Sequence, residues 1–432
     1  MSRLIVMSAD ALVSEDMALL ETLPNYRRFL AGGSLIRRVR SVYPTITYPC
    51  HTTMISGVYP DRHGIIRNDI LAPGMKTRPW LWFHDAVKPE TPDLFKAAKA
   101  KGLTTAAVFW PVTGNHPHID YLIDEYWTQS KEDTIPQAFA RSGSKGAALE
   151  IVTKNAPLLH GQERKHPYAD EFIIRCACDI ITEYKPDLLM IHPANIDDYR
   201  HQYGVFHENI KQGILETDFY IGELCRAAMI AGVLDETNFA LVSDHGQIDI
   251  KRVVHPNAML ARNGLIATDK DGNISGWDAV CVSGGTSACV YLKDPDNKVL
   301  YENVYRLLCE LRDDGIYGIG KVFTAAEATV NEHLCEDFAF VLEGDGYTGF
   351  GENASGPVAT PIDRSDYRTS AGSHGHLPTY GPQPVFAAKG PDFRDCVTME
   401  EGRLIDEAPT FAAVLGLNLP GTDGRAVGEI IK

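Results

Sequence analysis

No run of about eighteen apolar residues occurs in this sequence, so a membrane-spanning helix is not expected. The early apolar stretch Leu4-Ile5-Val6-Met7 is too short for the core of a secretion signal. A cytoplasmic protein with no membrane partner is the expectation. Disulfide patterning is also lacking: the nine cysteines are an odd number and include no Cys-x-x-Cys pair, which fits reduced thiols. Positive charge is in deficit. With 41 Lys and Arg against 57 Asp and Glu, the formal net charge is −16. That argues against a basic nucleic-acid platform. An acidic chain can still act on a phosphate ester where bound cations reverse the sign locally. Internal repeats and low-complexity tracts are missing too.

What remains is an ordinary globular composition. The 432 residues are 44% hydrophobic and 23% charged, enough to bury a large core. Along the first 250 residues, strand and helix signals alternate. Strands are expected at 4–8, 35–42, 104–110, 186–191 and 238–243, with helices at 24–30, 170–184 and 218–230 between them. Thr91-Pro92 reads as the start of a further helix, with Thr91 as its cap and Gly102 as its end. Repeated βα units imply an α/β fold, a mostly parallel sheet flanked by helices. The pattern changes near residue 250. Strands at 280–282, 289–292 and 338–342, a helix at 303–312 and a glycine-rich stretch at 344–361 read as a smaller inserted α+β region. The expected division is a catalytic core of 1–250 and 365–432 with an inserted cap of 251–364, and a late helix at 408–415. The polar segment 129–165 reads as a lid or a partner contact.

Five separated segments carry metal-type ligands or a hydroxyl, four of them next to expected strand ends or in glycine-flanked loops. Active sites of open α/β sheets gather at such strand ends. Asp10 follows the first strand, where an Asp also serves as a cap or turn residue. Asp197 and His201 are spaced i, i+4, so on a helix they share one face. Ser243-Asp244-His245-Gly246 follows a strand directly, with glycine allowing a sharp turn. Gly372-Ser373-His374-Gly375 presents a histidine between glycines. Thr47 stands before Tyr48-Pro49-Cys50-His51 at an expected helix start. There, free N–H groups and partial positive charge suit a phosphate, although threonine also caps helices for purely local reasons.

The joint pattern resembles the nucleotide pyrophosphatase/phosphodiesterase branch of the alkaline phosphatase superfamily. The matching pieces are Thr47 before Pro49-Cys50-His51, the Tyr59-Pro60-Asp61-Arg62-His63-Gly64-Ile65 stretch leading to Asn68, then Asp197 to His201, Asp244-His245-Gly246 and His374-Gly375, in that order. The resemblance implies an alkaline-phosphatase-like core and a type I phosphodiesterase using two divalent metal ions, normally Zn2+. One ion would be held by Asp197, His201 and His374; the other by Asp10, Asp244 and His245, with Thr47 bound to it as nucleophile. Asn68 and the backbone N–H after Thr47 would clamp the phosphoryl oxygens. The implied substrate is a small phosphodiester or nucleotide phosphoanhydride. The alternatives are a phosphonoacetate-hydrolase-like phosphonate hydrolase or a phosphomonoesterase on the same metal core.

The sequence also departs from the family pattern. Ile46 and Cys50 stand where the family usually has Lys and Asn, and Arg200 where Gly is frequent. Arg200 reads either as a solvated side chain or as a contact to an anionic substrate. Trp110, in Phe109-Trp110-Pro111, is expected to border the leaving-group pocket, and Trp80, Trp82 and Phe83 to stand near its entrance.

Overall fold

In the computed structural model, residues 2–72 and 78–432 are described. Six strands in chain order, β1 (Arg3–Ser8), β2 (Ser34–Arg40), β3 (Thr105–Val108), β4 (Tyr121–Ile123), β5 (Leu188–Ile191) and β6 (Thr237–Val242), join the late strands Phe386–Lys389 and Val397–Arg403. They form an eight-stranded sheet in the order Val397–Arg403, β2, Phe386–Lys389, β6, β1, β5, β3, β4. Only Phe386–Lys389 runs antiparallel to its neighbours. The fold is therefore α/β with a large, mostly parallel central sheet flanked by helices.

Alternation along β1 shows why both faces are covered. Ile5 and Met7 pack into one core with Ile173, Ile180 and Leu224, while Leu4 and Val6 pack into another with Phe95, Phe386 and Phe411. A strand buried on both faces loses polar positions and reads as the short apolar run seen in the sequence. Each such side chain contributes on the order of 1.5–3 kcal/mol when fully buried.

Residues 251–364 supply a second sheet of four antiparallel strands: Ala279–Ser283, Ser287–Leu292, Phe340–Gly344 and Ile319–Thr324. The helix Lys298–Asp313 lies between the second and third of these in sequence, longer than the expected 303–312. Three local expectations change. Asp93, not Thr91, caps the helix Leu94–Ala100, because its carboxylate accepts the Lys96 N–H. The glycine-rich 344–361 stretch holds two short strands, Thr348–Phe350 and Ala359–Thr360, both paired to Arg252–Val254. Segment 129–165 contains the α-helices Ile135–Arg141 and Gly146–Asn155 and a 3-10 turn at Ala156–Leu159.

Candidate active site

The carboxyl ends of β1, β5 and β6 deliver the first ligands. Asp10 follows β1 after one residue, Asp244 and His245 follow β6, and the helix Asn195–Tyr203 starts just beyond β5. That helix carries Asp197 and His201 on one face, and His201 Nε2 lies 3.1 Å from Asp197 Oδ2. His374 arrives from the loop after the short strand Gly372–Ser373. The chain thus brings all six acidic and histidine residues together. Ligand atoms of Asp10, Asp244 and His245 lie within 4.8 Å of one another, as do those of Asp197, His245 and His374. His245 stands between the two trios, so they adjoin through one ring. Thr47 opens the helix Thr47–Ser56, with its Oγ1 3.3 Å from His245 Nε2.

The donor set fits divalent cations. Asp10 Oδ1, Asp244 Oδ2 and His201 Nε2 are buried with no hydrogen-bond partner, and buried polar atoms are seldom left so. Two of the imidazoles are fixed to present Nε2. His201 Nδ1–H donates to the Gly372 carbonyl at 2.8 Å and His374 Nδ1–H to the Thr45 carbonyl at 3.0 Å. Metal-binding histidines characteristically use such outer bonds. Electrostatics points the same way. Burial, then the charges of Asp197 and Asp244, push Asp10 well above the usual carboxylate range. Burial also raises Asp244, with His245 opposing and Asp197 adding to the rise. Burial would raise Asp197 too, but His201, His374 and His245 hold it well below its ordinary value. Burial and His245 keep His374 in the neutral form that coordinates metals. Desolvated carboxylates in contact are costly unless a cation sits among them.

Asn68 lines the same cavity, and its Oδ1 accepts the Tyr48 N–H at 3.0 Å. The N–H after Thr47 is therefore engaged, which corrects its expected role as an oxyanion donor. The first residue of a helix has no intrahelical acceptor for its own N–H, so Thr47 N–H and the Asn68 amide are the donors available there.

Trp110 is a second correction. It is fully buried in the core, its Nε1 donates to the His51 carbonyl at 3.3 Å, and it does not line the cavity. Phe109, Trp80, Trp127 and Tyr367 form the aromatic wall of the cavity of about 890 Å3. Phe109 has a left-handed φ of 58°, so the strand alternation breaks there and the residues swap their expected directions. Arg164, Lys165 and Arg364 add positive charge to the lining, and Arg164 stacks over Trp80 and Trp127 at 5.5 and 5.4 Å. Arg200 is neither solvated nor at the substrate. It is fully buried, donating to Asp16, to the Ala11 carbonyl and to the Val205 carbonyl.

Three supporting residues carried no assigned role in the sequence reading. His51 Nδ1–H donates to the Thr47 carbonyl at 2.8 Å, and its Nε2 accepts from Ser8 Oγ at 2.9 Å. Its signal was the His two residues after Pro49. His192 Nε2 lies 3.0 Å from Asp10 Oδ2, and its position directly after a strand was the only hint. The Gln247 amide donates to Asp197, and no local pattern marks it.

The family model for type I phosphodiesterase/nucleotide pyrophosphatase matches residues 4–336. An ectonucleotide pyrophosphatase/phosphodiesterase of Caenorhabditis elegans is 23% identical over 88% of this chain and 42% of its own length. Ectonucleotide pyrophosphatase/phosphodiesterase family member 1 of Homo sapiens is 34% identical over 55% of this chain and 23% of its own. The chain thus spans less than half the length of these curated relatives. The fold is shared with murine ectonucleotide pyrophosphatase/phosphodiesterase 5, solved as an inactive variant in complex with AMP, at a TM-score of 0.69, 18% identity and full coverage of both chains. The chain belongs to the type I phosphodiesterase/nucleotide pyrophosphatase family.

Proposed function

We propose that this chain hydrolyses phosphodiesters or nucleotide phosphoanhydrides, with Thr47 as the nucleophile. The observation that carries the reading is the position of Thr47 Oγ1, 3.3 Å from His245 Nε2, at a helix start and beside the buried carboxylate–imidazole cluster. Two divalent cations, Zn2+ by the nitrogen and oxygen donor set, held by Asp10, Asp244 and His245 and by Asp197, His201 and His374, would lower the pKa of the Thr47 hydroxyl and neutralise phosphoryl charge. Thr47 Oγ attacks phosphorus, the bond to the leaving-group oxygen breaks, and a phospho-threonine forms. Water then hydrolyses that ester and regenerates the hydroxyl. Asn68 and the Thr47 N–H hold non-bridging oxygens in both steps. His51 fixes the first helical turn, and His192 and Gln247 orient Asp10 and Asp197.

The cavity supports a leaving group larger than methanol or water. Its aromatic wall suits a planar ring, and Arg164, Lys165 and Arg364 suit anionic substrate in a chain of net charge −16. A small-molecule nucleotide or similar ester fits this lining. A reducing, cytoplasmic setting is the accompanying proposal, supported by nine unpaired cysteines.

The test is a panel with added Zn2+: bis-p-nitrophenyl phosphate, p-nitrophenyl phosphate, a nucleoside-5′-monophosphate p-nitrophenyl ester and phosphonoacetate. The diesters are expected to turn over fastest. Faster turnover of the monoester or of phosphonoacetate would reject the assignment.

A further inference from the structure

Three residues that the chemistry above does not use come together outside the main cavity. His84 follows Phe83, which bridges to Gly114; Asp93 caps the helix Leu94–Ala100; His116 lies in the turn beyond Gly114. Their ligand atoms lie within 4.8 Å of one another. The His84 and His116 rings are 3.9 Å apart, and His116 Nε2 is 3.0 Å from Asp93 Oδ2. His116 Nε2 thus faces the Asp93 carboxylate, while His84 Nδ1 is buried with no hydrogen-bond partner. Asp93 uses its other oxygen, Oδ1, for the Lys96 N–H at 3.1 Å, which leaves Oδ2 for the cluster. His84 and Asp93, with His118, line a separate pocket of about 100 Å3, large enough for an ion with bound water.

We propose that His84, Asp93 and His116 form a structural site for one divalent cation of the Zn2+ type, separate from the catalytic cluster. Two imidazoles and one carboxylate are a sufficient protein donor set for such an ion, with water completing the shell. A buried, unpartnered His84 Nδ1 beside a His116–Asp93 pair, in a trio whose ligand atoms lie within 4.8 Å of one another, is the independent sign of a missing ligand. Burial, with His116 adding to it, drives His84 down to about 4, so it stands neutral at pH 7. Burial alone would raise Asp93, but His116 and the Lys96 N–H hold it below its ordinary value, so it stands ionised. An ion there joins three chain segments that are otherwise tied by a few backbone bonds, and its binding energy becomes folding energy.

Loading has one cost. The His118 N–H faces His116 Nδ1 at 3.1 Å, which places the His116 proton on Nε2 in the free protein. Coordination through Nε2 moves that proton to Nδ1 and opens the contact. The weaker of the Zn2+ equivalents is accordingly assigned to this site.

The test titrates Zn2+ into the chelator-stripped full chain by calorimetry, with elemental analysis after desalting. The wild type is expected to show one weaker Zn2+ equivalent beyond the tighter ones, with a rise in thermal midpoint as it fills. His84→Gln should lose that equivalent and that rise while keeping turnover of bis-p-nitrophenyl phosphate within about twofold. Asp93→Asn keeps a cap acceptor for the helix and should lose the same equivalent. Asp244→Asn should retain it. An unchanged number and affinity in His84→Gln and Asp93→Asn, or loss of the weaker equivalent in Asp244→Asn, would overturn the proposal.

Discussion

A threonine hydroxyl is a poor nucleophile until its surroundings stabilise the alkoxide. In the proposed reading, cations held among the neighbouring carboxylates and imidazoles would supply that stabilisation: Thr47 begins a helix, and its oxygen faces His245. Truncating that side chain should leave the six candidate ligands intact. Thr47→Ala is expected to keep its Zn2+ content by elemental analysis and to lose turnover by a factor on the order of 10^3 or more. Activity within tenfold of wild type would reject Thr47 as nucleophile. At this scale the candidate cluster was legible because Asp10, Asp244 and His245 sit where strands run out into loops. His192 and Gln247 were not, because a side chain that orients a ligand needs only to reach it in space and leaves no spacing in the chain. Trp110 was misread for a backbone reason: the left-handed Phe109 turns the aromatic pair over, and no residue type announces that.

Among the elements, the smaller sheet braces the loop that carries His374, a candidate ligand beside the larger sheet. The hairpin between Ala279–Ser283 and Ser287–Leu292 presses on the His374 loop: the Thr286 N–H and hydroxyl both donate to the His374 carbonyl at 2.9 Å. The loop can pass there because Gly375 has φ 100° and no side chain; a Cβ would stand 2.1 Å from the Gly284 carbonyl oxygen. Gly375→Ala therefore combines backbone strain with a clash against main chain. A lowered thermal midpoint and reduced Zn2+ content are expected, and wild-type values for both would contradict this packing. Nearby, Glu343 accepts from the Tyr43 hydroxyl and the Leu377 N–H at 2.9 Å each. Burial pushes its carboxyl up to about 7 from 4.5, against the lowering from Tyr380 and these donors. A folded-state pKa above the unfolded one means that the fold binds more protons, so this group's contribution to stability falls as pH rises from 4.5 to about 7. Glu343→Gln should flatten the decline of thermal midpoint across that window. An unchanged pH profile would remove Glu343 from the account.

The whole molecule sets the candidate cation cluster and three positive side chains, Arg164, Lys165 and Arg364, around one cavity, inside a chain of net charge −16. Its architecture was readable because buried parallel strands and amphipathic helices alternate in the first 250 residues. The internal build of 129–165 and the two strands of 344–361 that pair with Arg252–Val254 were not, since short helices and two- or three-residue strands leave too few periods to detect. Arg200 shows the same limit: only the fold reveals that Asp16 waits for it inside the protein. The central claim is that two divalent ions settle among the six ligands beside Thr47. Anomalous diffraction at the zinc edge from Zn2+-loaded crystals tests it most directly. The account predicts one peak among Asp10, Asp244 and His245 and one among Asp197, His201 and His374. A fully active, Zn2+-loaded enzyme with no peak at either place would contradict it.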